Sequence, residues 1–408
     1  MSGIDRREFL RRSAVAGAGI GLLPRLAAAG LPEGPPRVRR YVELGRTGLR
    51  LPDIGFGASR LTGDEALVRH ALDRGITHFD TAKGYARGRS EQTLGLALAG
   101  VRDKVTLATK LQAPASAKRA ALMAELEQCL VRLRTDYVDF FFLHAVNDVE
   151  RIANPEWPEF LALAKQQGKI RWRGMSGHGG RLVECVDYAL DHELVDVLLL
   201  GYNFGQDPSF VQKFTAGTDM IAIQPDLPRV MKKARAQGVG VIAMKTLRGA
   251  RLNDMRPYEQ GGATFAQAAF RWVLAGGLAD CLIVTMKSSA MVDEYLGASG
   301  YGGVTRAEGA LLARYERDQG ALQCRYGCDA CSASCPEGVP IAEVLRTRMY
   351  AEDYGDEALA REDYAALGAA ASACVGCSHR ACTGACPFGL AIPELTSRTH
   401  LRLADDRS

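Results

Sequence analysis

Four polar residues each stand at or just beyond the end of an apolar run. They are Asp80 in "THFDTA", Tyr85 five residues on, Lys110 in "TLATKL" and His144 in "FFFLHAV". Reducing a carbonyl requires a hydride at carbon and a proton at oxygen. A free phenol has a pKa of ~10 and is a reluctant acid at neutral pH. A lysine ammonium beside it favours the phenolate, and an aspartate keeps that lysine charged and oriented. A histidine within reach can hydrogen-bond the carbonyl oxygen and fix its approach. The four residues supply one group for each role. Singly, a Lys or His at a strand end is an ordinary rim residue. Four on one rim make a candidate site.

A second set is made of sulfur. "CRYGCDACSASCP" and "CVGCSHRACTGACP" hold eight of the eleven cysteines: Cys324, Cys328, Cys331, Cys335, Cys374, Cys377, Cys382 and Cys386. Thiolates this dense suit [4Fe–4S] clusters, with three close cysteines on one cluster and the cysteine before proline serving the other. The bursts resemble two-cluster, largely helical ferredoxin domains, with the first gap widened in one burst and the middle gap in the other. Two alternatives stand beside this. Four-cysteine zinc sites are built from separated pairs rather than four thiols within a dozen residues, and disulfides suit an exported chain. Cys129, Cys185 and Cys281 lie in apolar patterns and read as small core residues.

The elements that must position these groups follow from periodicity. After a Gly-turn hairpin at "YVELGRTGLRLP", eight short apolar runs alternate with amphipathic stretches such as "DEALVRHALDRG" and "TFAQAAFRWVLAGG". Several stretches end at glycine, the usual helix stop. Near-continuous apolar strands belong to a parallel sheet buried on both faces. Eight strand–helix units in about 260 residues predict a (β/α)8 barrel, whose catalytic groups gather where strands end. A doubly wound sheet also alternates, but "GFGASR" is a poor match to its Gly-rich turn. The expected organisation is a barrel over residues 41–300 and a small, mostly helical iron–sulfur domain over 321–400. "TRAEGALLARYERDQGAL" reads as a helix linking them.

"DTAKGYARGRSEQTLG", "TLATKL" and "LRLRTDYVDFFFLHAV" resemble the successive signatures of the aldo-keto reductases. That resemblance implies Tyr85 as general acid, Lys110 and Asp80 as its tuners, and His144 as the residue orienting the carbonyl. It also implies NADP(H) as cofactor, with Ser176, Tyr202, Lys287 and Ser288 at the positions that would contact it. The family's amide-holding Asn and Gln are replaced by Gly177 and Leu199, and Tyr295 stands at a further Asn position.

The front of the chain reads as an address. Residues 1–29 hold five arginines against Asp5 and Glu8, with twin arginines, a short apolar run and an Ala27-x-Ala29 cleavage signal before Gly30. This resembles a twin-arginine leader, and it implies the translocation machinery as a partner and the periplasm as the destination. The whole chain carries a formal charge of only +4, so a nucleic-acid surface is not expected.

The reading is an exported oxidoreductase acting on a carbonyl or alcohol and coupled to [4Fe–4S] clusters. One alternative draws electrons from a redox partner protein instead of free NADPH. Another is a non-catalytic iron–sulfur electron-transfer protein.

Overall fold

A computed structural model describes residues 34–214, 223–248, 254–259, 262–319, 323–325, 327–352, 355–365 and 367–404. The predicted leader, residues 1–29, lies outside the described residues. Pro36–Ser408 forms one compact unit.

The hairpin is present as β1 (Tyr41–Glu43) antiparallel to β2 (Arg50–Pro52). Leu44 and Leu51 project from it into the same apolar cluster as Val197 and Leu199, so it plugs one end of the barrel. Its turn needs glycine at Gly45. There φ is +47°, and a Cβ would fall 2.4 Å from the Gly240 nitrogen.

All eight predicted strands form. They are β3 (Ile54–Gly57), β4 (His78–Asp80), β5 (Thr106–Leu111), β6 (Val138–Leu143), β7 (Ile170–Gly177), β8 (Val197–Gly201), β9 (Gly240–Met244) and β10 (Cys281–Thr285). They close in sequence order into a parallel barrel, β10 pairing with β3. Side chains alternate between its two faces. Ala108, Phe140, Phe142, Leu199, Ile242 and Ile283 fill the interior. Phe79, Leu107, Phe141, Leu198, Val241 and Val284 belong to the outer core shared with the helices. This parity puts Asp80 two residues after His78, Lys110 two after Ala108 and His144 two after Phe142. All three therefore stand on the inner face at the C-terminal rim.

The outer layer holds α1 (Glu65–Asp73), α2 (Arg89–Ala97), α3 (Arg119–Leu133), the short α4 (Val149–Ile152), α5 (Glu156–Gln166), α6 (Leu182–Asp191), α7 (Pro208–Phe214), α8 (Leu227–Ala236), α9 (Phe265–Ala275) and α10 (Ser289–Leu296). Some of their starts are capped by side chains. The Asp64 side chain accepts from Leu67 N, and Thr264 with Gln267 forms a reciprocal capping box. The predicted linking helix, α11 (Arg306–Gln319), is more than a connector. Leu312 and Tyr315 join the outer core, Tyr315 packs 4.5 Å from Phe265 between ring centres, and Glu308 pairs with Arg271.

The cysteine segment builds a second, smaller core with α12 (Ile341–Glu352), α13 (Glu357–Ala365) and α14 (Ile392–Leu403). Val339, Val344, Leu345, Ala360 and Ile392 are buried there beside Cys331. The segment is docked on the loops that follow the barrel strands. Arg60, after β3, pairs with Asp356, and Arg87, after β4, pairs with Glu362. Gly180, after β7, abuts Asp329 so closely that a Cβ would lie 2.0 Å from its carboxyl carbon.

Candidate active site

Asp80 ends β4, Lys110 is the penultimate residue of β5 and His144 directly follows β6. Lys110 Nζ donates to Asp80 Oδ1 at 2.5 Å and to the Thr81 carbonyl at 2.6 Å. Both side chains are buried. Burial pulls the Lys110 ammonium down from its ordinary range, and the Asp80 charge opposes that pull. Burial likewise pushes the Asp80 carboxyl up, opposed by Lys110. Each charge thus opposes the loss of the other.

Tyr85 reaches the same place from the loop after β4. Its ring centre lies 5.0 Å from Lys110 Nζ and 5.7 Å from the His144 ring, which it meets edge-on. The chain turns back sharply here, since Ala86, Arg87 and Gly88 are all left-handed, with φ of 49°, 57° and 85°. Two non-glycine residues in that region store backbone strain of order 1 kcal/mol each. The start of α2 resists it. Ser90 Oγ contacts Thr81 Oγ1 at 2.7 Å and donates to the Ala58 carbonyl at 2.8 Å. The buried Glu91 accepts from Thr109 Oγ1 and from Arg132 Nε, both at 2.6 Å. The residues after the tyrosine are therefore anchors for its loop.

His144 is pushed well below the ordinary imidazole range by burial, then by Lys110, Lys245 and Arg151. It is neutral at physiological pH and can donate one hydrogen bond to a substrate oxygen. Its backbone is clamped. Arg151 donates to the His144, Ala145 and Ala113 carbonyls at 2.9, 2.8 and 2.8 Å.

The expected cofactor contacts are not all brought together. Ser176 is buried beside the tetrad, and its Oγ accepts from Ala145 N at 3.1 Å, steadying the loop that carries His144. Tyr202, expected to line the site, does not. It continues the outer row of Leu198 and Leu200, its ring packs 5.3 Å from Trp272, and its hydroxyl donates to Asp207 Oδ2 at 2.7 Å. Lys287 and Ser288 are exposed at the start of α10, where Ser288 Oγ accepts from Met291 N. Gly177 has no room for an asparagine, because a Cβ would lie 2.5 Å from Leu182 Cδ1 and 2.8 Å from the Val146 carbonyl. Leu199 is sealed inside the barrel, and Tyr295 is buried against Phe270.

His178 joins these residues without standing in any of the sequence signatures above. It follows β7 as His144 follows β6, and the same strand-end rule would have found it. Its imidazole is pushed well down by burial, then by Lys245, Arg346 and His144. Arg346 comes from α12, so the cysteine segment reaches the neighbourhood of the tetrad.

All eleven cysteines are free. Cys129, Cys185 and Cys281 are buried core residues, as expected. The other eight fall into two neighbouring sets. Cys324 is pushed up to about 12 by burial, with Cys328, Cys331 and Cys386 adding to it and Arg346 opposing. Cys374 and Cys382 are pushed up by burial, with Cys335 and Cys377 adding to both. The sets adjoin where Cys331 meets Cys382. Among the described residues, no three His, Cys, Asp or Glu side chains are gathered so as to hold a single metal ion.

The Aldo/keto reductase family model matches residues 53–259. L-glyceraldehyde 3-phosphate reductase of Escherichia coli is 26% identical over 299 residues, covering 62% of this chain and 86% of the relative. The aldo/keto reductase from Klebsiella pneumoniae, solved in complex with NADP and acetate, is 26% identical, with a TM-score of 0.53 over 69% of this chain and 95% of its own. An aldo-keto reductase from Bacillus halodurans shares the fold at 21% identity, with a TM-score of 0.54 over 67% of this chain and 95% of its own. A closed (β/α)8 barrel, four polar groups on its C-terminal rim and a family match over half the chain lead to one assignment: this chain is an oxidoreductase of the aldo/keto reductase family.

Proposed function

We propose that the chain interconverts a small carbonyl compound and its alcohol at the Tyr85–Lys110–Asp80–His144 mouth, exchanging electrons with two [4Fe–4S] clusters held by the eight clustered cysteines. The observation that carries this reading is the crossing of the bursts. Cys386 keeps company with Cys324, Cys328 and Cys331, and Cys335 with Cys374, Cys377 and Cys382. Two-cluster sites use this exchange of the cysteine before proline. A single tetrahedral zinc would need its thiolates around one point, ~3.8 Å apart for bonds of ~2.3 Å, whereas each thiolate of a four-iron cluster takes its own iron.

The clusters, when bound, would supply or accept electrons one at a time. Net reduction takes two electrons, relayed through the clusters from a redox partner protein, and two protons, one to the oxygen and one from solvent water to the carbon. The Tyr85 hydroxyl delivers the proton to the substrate oxygen, and the Lys110 charge stabilises the phenolate left behind. Neutral His144 donates a hydrogen bond to that oxygen and sets its angle of approach. In the oxidising direction the same phenolate takes the alcohol proton.

NADP(H) is the second reading, favoured by the K. pneumoniae relative solved with NADP. The exposed Lys287 and Ser288 at the start of α10 suit a phosphate. The amide end fits poorly, because Gly177, Leu199 and Tyr202 leave a carboxamide without those partners, and unpaired polar groups weaken a complex. Anaerobic iron and sulfide analysis with an NADPH titration separates the readings. Roughly eight iron and eight sulfide with weak NADPH binding is expected. Stoichiometric zinc without labile sulfide would overturn the cluster reading, and tight NADPH binding with turnover would favour the second.

Residues 1–29 are proposed as a twin-arginine leader, on the strength of the paired arginines and the Ala-x-Ala site. The expected mature protein begins near Gly30 in the periplasm. Native mass spectrometry finding an intact Met1 to Ala29 stretch in the cytoplasmic fraction would refute it.

A further inference from the structure

One buried charge cluster has no part in the proton chemistry. Arg248 follows β9, Glu316 lies on α11, and Arg325 sits between Cys324 and Cys328. Their side chains are only 6%, 3% and 9% exposed. Glu316 receives Arg248 Nη2 at 2.7 Å and Arg325 Nη2 at 3.2 Å. The Arg325 guanidinium carbon also lies 3.5 Å from the centre of the Phe388 ring. Phe388 follows Cys386 and Pro387. Arg325 is thus adjacent to Cys324 along the chain and stacked on the stretch that brings in Cys386. It is fixed inside the first cysteine set from both of that set's bursts.

In this trio two guanidiniums share one carboxylate, which leaves one positive charge in excess. An arginine does not shed its proton in the working pH range. Buried charges act through a lower dielectric than exposed ones and are little screened by salt. Among the described residues that flank the second set's cysteines, none is equivalent. Arg380 lies between Cys377 and Cys382, but its side chain is 55% exposed and paired with Glu394. His379 is similarly exposed and lies 3.6 Å from Glu337. Water and a carboxylate blunt both.

A four-thiolate cluster becomes more negative on reduction, so a fixed cation beside it favours the reduced form. We propose that Arg325, positioned by Glu316 and Phe388, gives the Cys324–Cys328–Cys331–Cys386 cluster the higher reduction potential of the two. The inference rests on the cluster reading above. It makes this set the resting place of the first electron, while the Cys335–Cys374–Cys377–Cys382 set serves as the lower-potential centre.

Anaerobic potentiometric titration followed by electron paramagnetic resonance tests it in the full-length protein, comparing wild type with Arg325→Gln, Arg325→Lys and Glu316→Gln. The wild type is expected to reduce in two steps. Arg325→Gln should lower the upper step by about tenfold in its reduced-to-oxidised ratio, about 59 mV for one electron, and leave the lower step in place. Arg325→Lys should recover part of the loss. Glu316→Gln removes the compensating negative charge and should move the upper step the other way, which keeps the test decisive if Arg325→Gln fails to take up iron. An iron-loaded wild type with two steps that move together, or an upper step that ignores both changes, would overturn the inference alone. Wild type without iron would overturn the cluster reading and this inference with it.

Discussion

The Lys110 ammonium sits 2.5 Å from the Asp80 carboxylate, with both groups buried at the rim of the barrel. Neither charge would persist there alone. Removing one member of a buried pair leaves an uncompensated charge, at a cost of about 3–5 kcal/mol. Asp80→Asn is therefore expected to destabilise the protein by about that amount and to favour neutral Lys110, depriving Tyr85 of its nearby cation. Urea unfolding with a carbonyl-reduction assay measures both, and a variant of unchanged stability would contradict the pairing.

Tyr85→Phe removes the acid and keeps the ring that meets His144 edge-on. Folding should be nearly unaffected, and turnover should fall by about 10²–10⁴-fold. Lys110→Met should also lower turnover. The double variant should lose far less than the product of the two losses, because both changes act on one proton. Additive losses would mean that Lys110 works through something other than Tyr85.

His78 lies inside the barrel, its Nδ1 3.0 Å from Thr106 Oγ1, and burial followed by the Lys110 charge pushes its pKa down to about 3. An unfolded chain binds a proton there near pH 6.5, while the native state refuses it. Stability is thus unaffected by this group above 6.5 and declines as pH falls from about 6.5 towards 3. The loss from pH 7.5 to 5.5 is ~1.4 kcal/mol for one such histidine. His144 acts in the same direction. His78→Asn should lose roughly that much less than wild type across the interval, measured by urea unfolding at the two pH values. Equal losses would show that His78 titrates normally.

Asp80, Lys110 and His144 could be read from the sequence because each interrupts or ends an apolar run, and the period of two places all three on one face. The same period marks Tyr202 as outward-facing, since it continues the row of Leu198 and Leu200, yet its nearness to a strand end suggested the site. Gly177 was legible as a departure, but its cause was not. Leu182 and the Val146 carbonyl fill the space a side chain would need, a contact that exists only after folding. The Glu316 link to Arg248 spans 68 residues and has no spacing to betray it. Docking of the cysteine segment on the catalytic rim belongs to the same class, because its ion pairs join residues hundreds of positions apart.

The outward placement of Tyr202 has a consequence of its own. Tyr202→Phe takes away the donor that Asp207 Oδ2 accepts and should cost about 1–3 kcal/mol of stability, the penalty for a buried acceptor left unpaired. Turnover and any NADPH affinity of the folded fraction should not change. A variant of wild-type stability with weakened nucleotide binding would return Tyr202 to the cofactor site.

The crossing of the two bursts makes a prediction that counting cysteines cannot. If each burst held its own cluster, Cys324→Ala with Cys335→Ala would damage one centre, and Cys335→Ala with Cys374→Ala would damage both. The thiol neighbourhoods imply the reverse. Cys335 lies with Cys374, Cys377 and Cys382, while Cys324 lies with Cys328, Cys331 and Cys386. Losing Cys335 and Cys374 together therefore takes two ligands from one centre and should leave about four iron and four sulfide per chain. Losing Cys324 and Cys335 takes one ligand from each centre and should strip most of the iron, although both changes fall in the same short stretch. Each single variant should retain about half the metal. Iron and sulfide counts on anaerobically purified variants decide between the patterns, and the opposite ranking of the two double variants would mean that each burst keeps its own cluster.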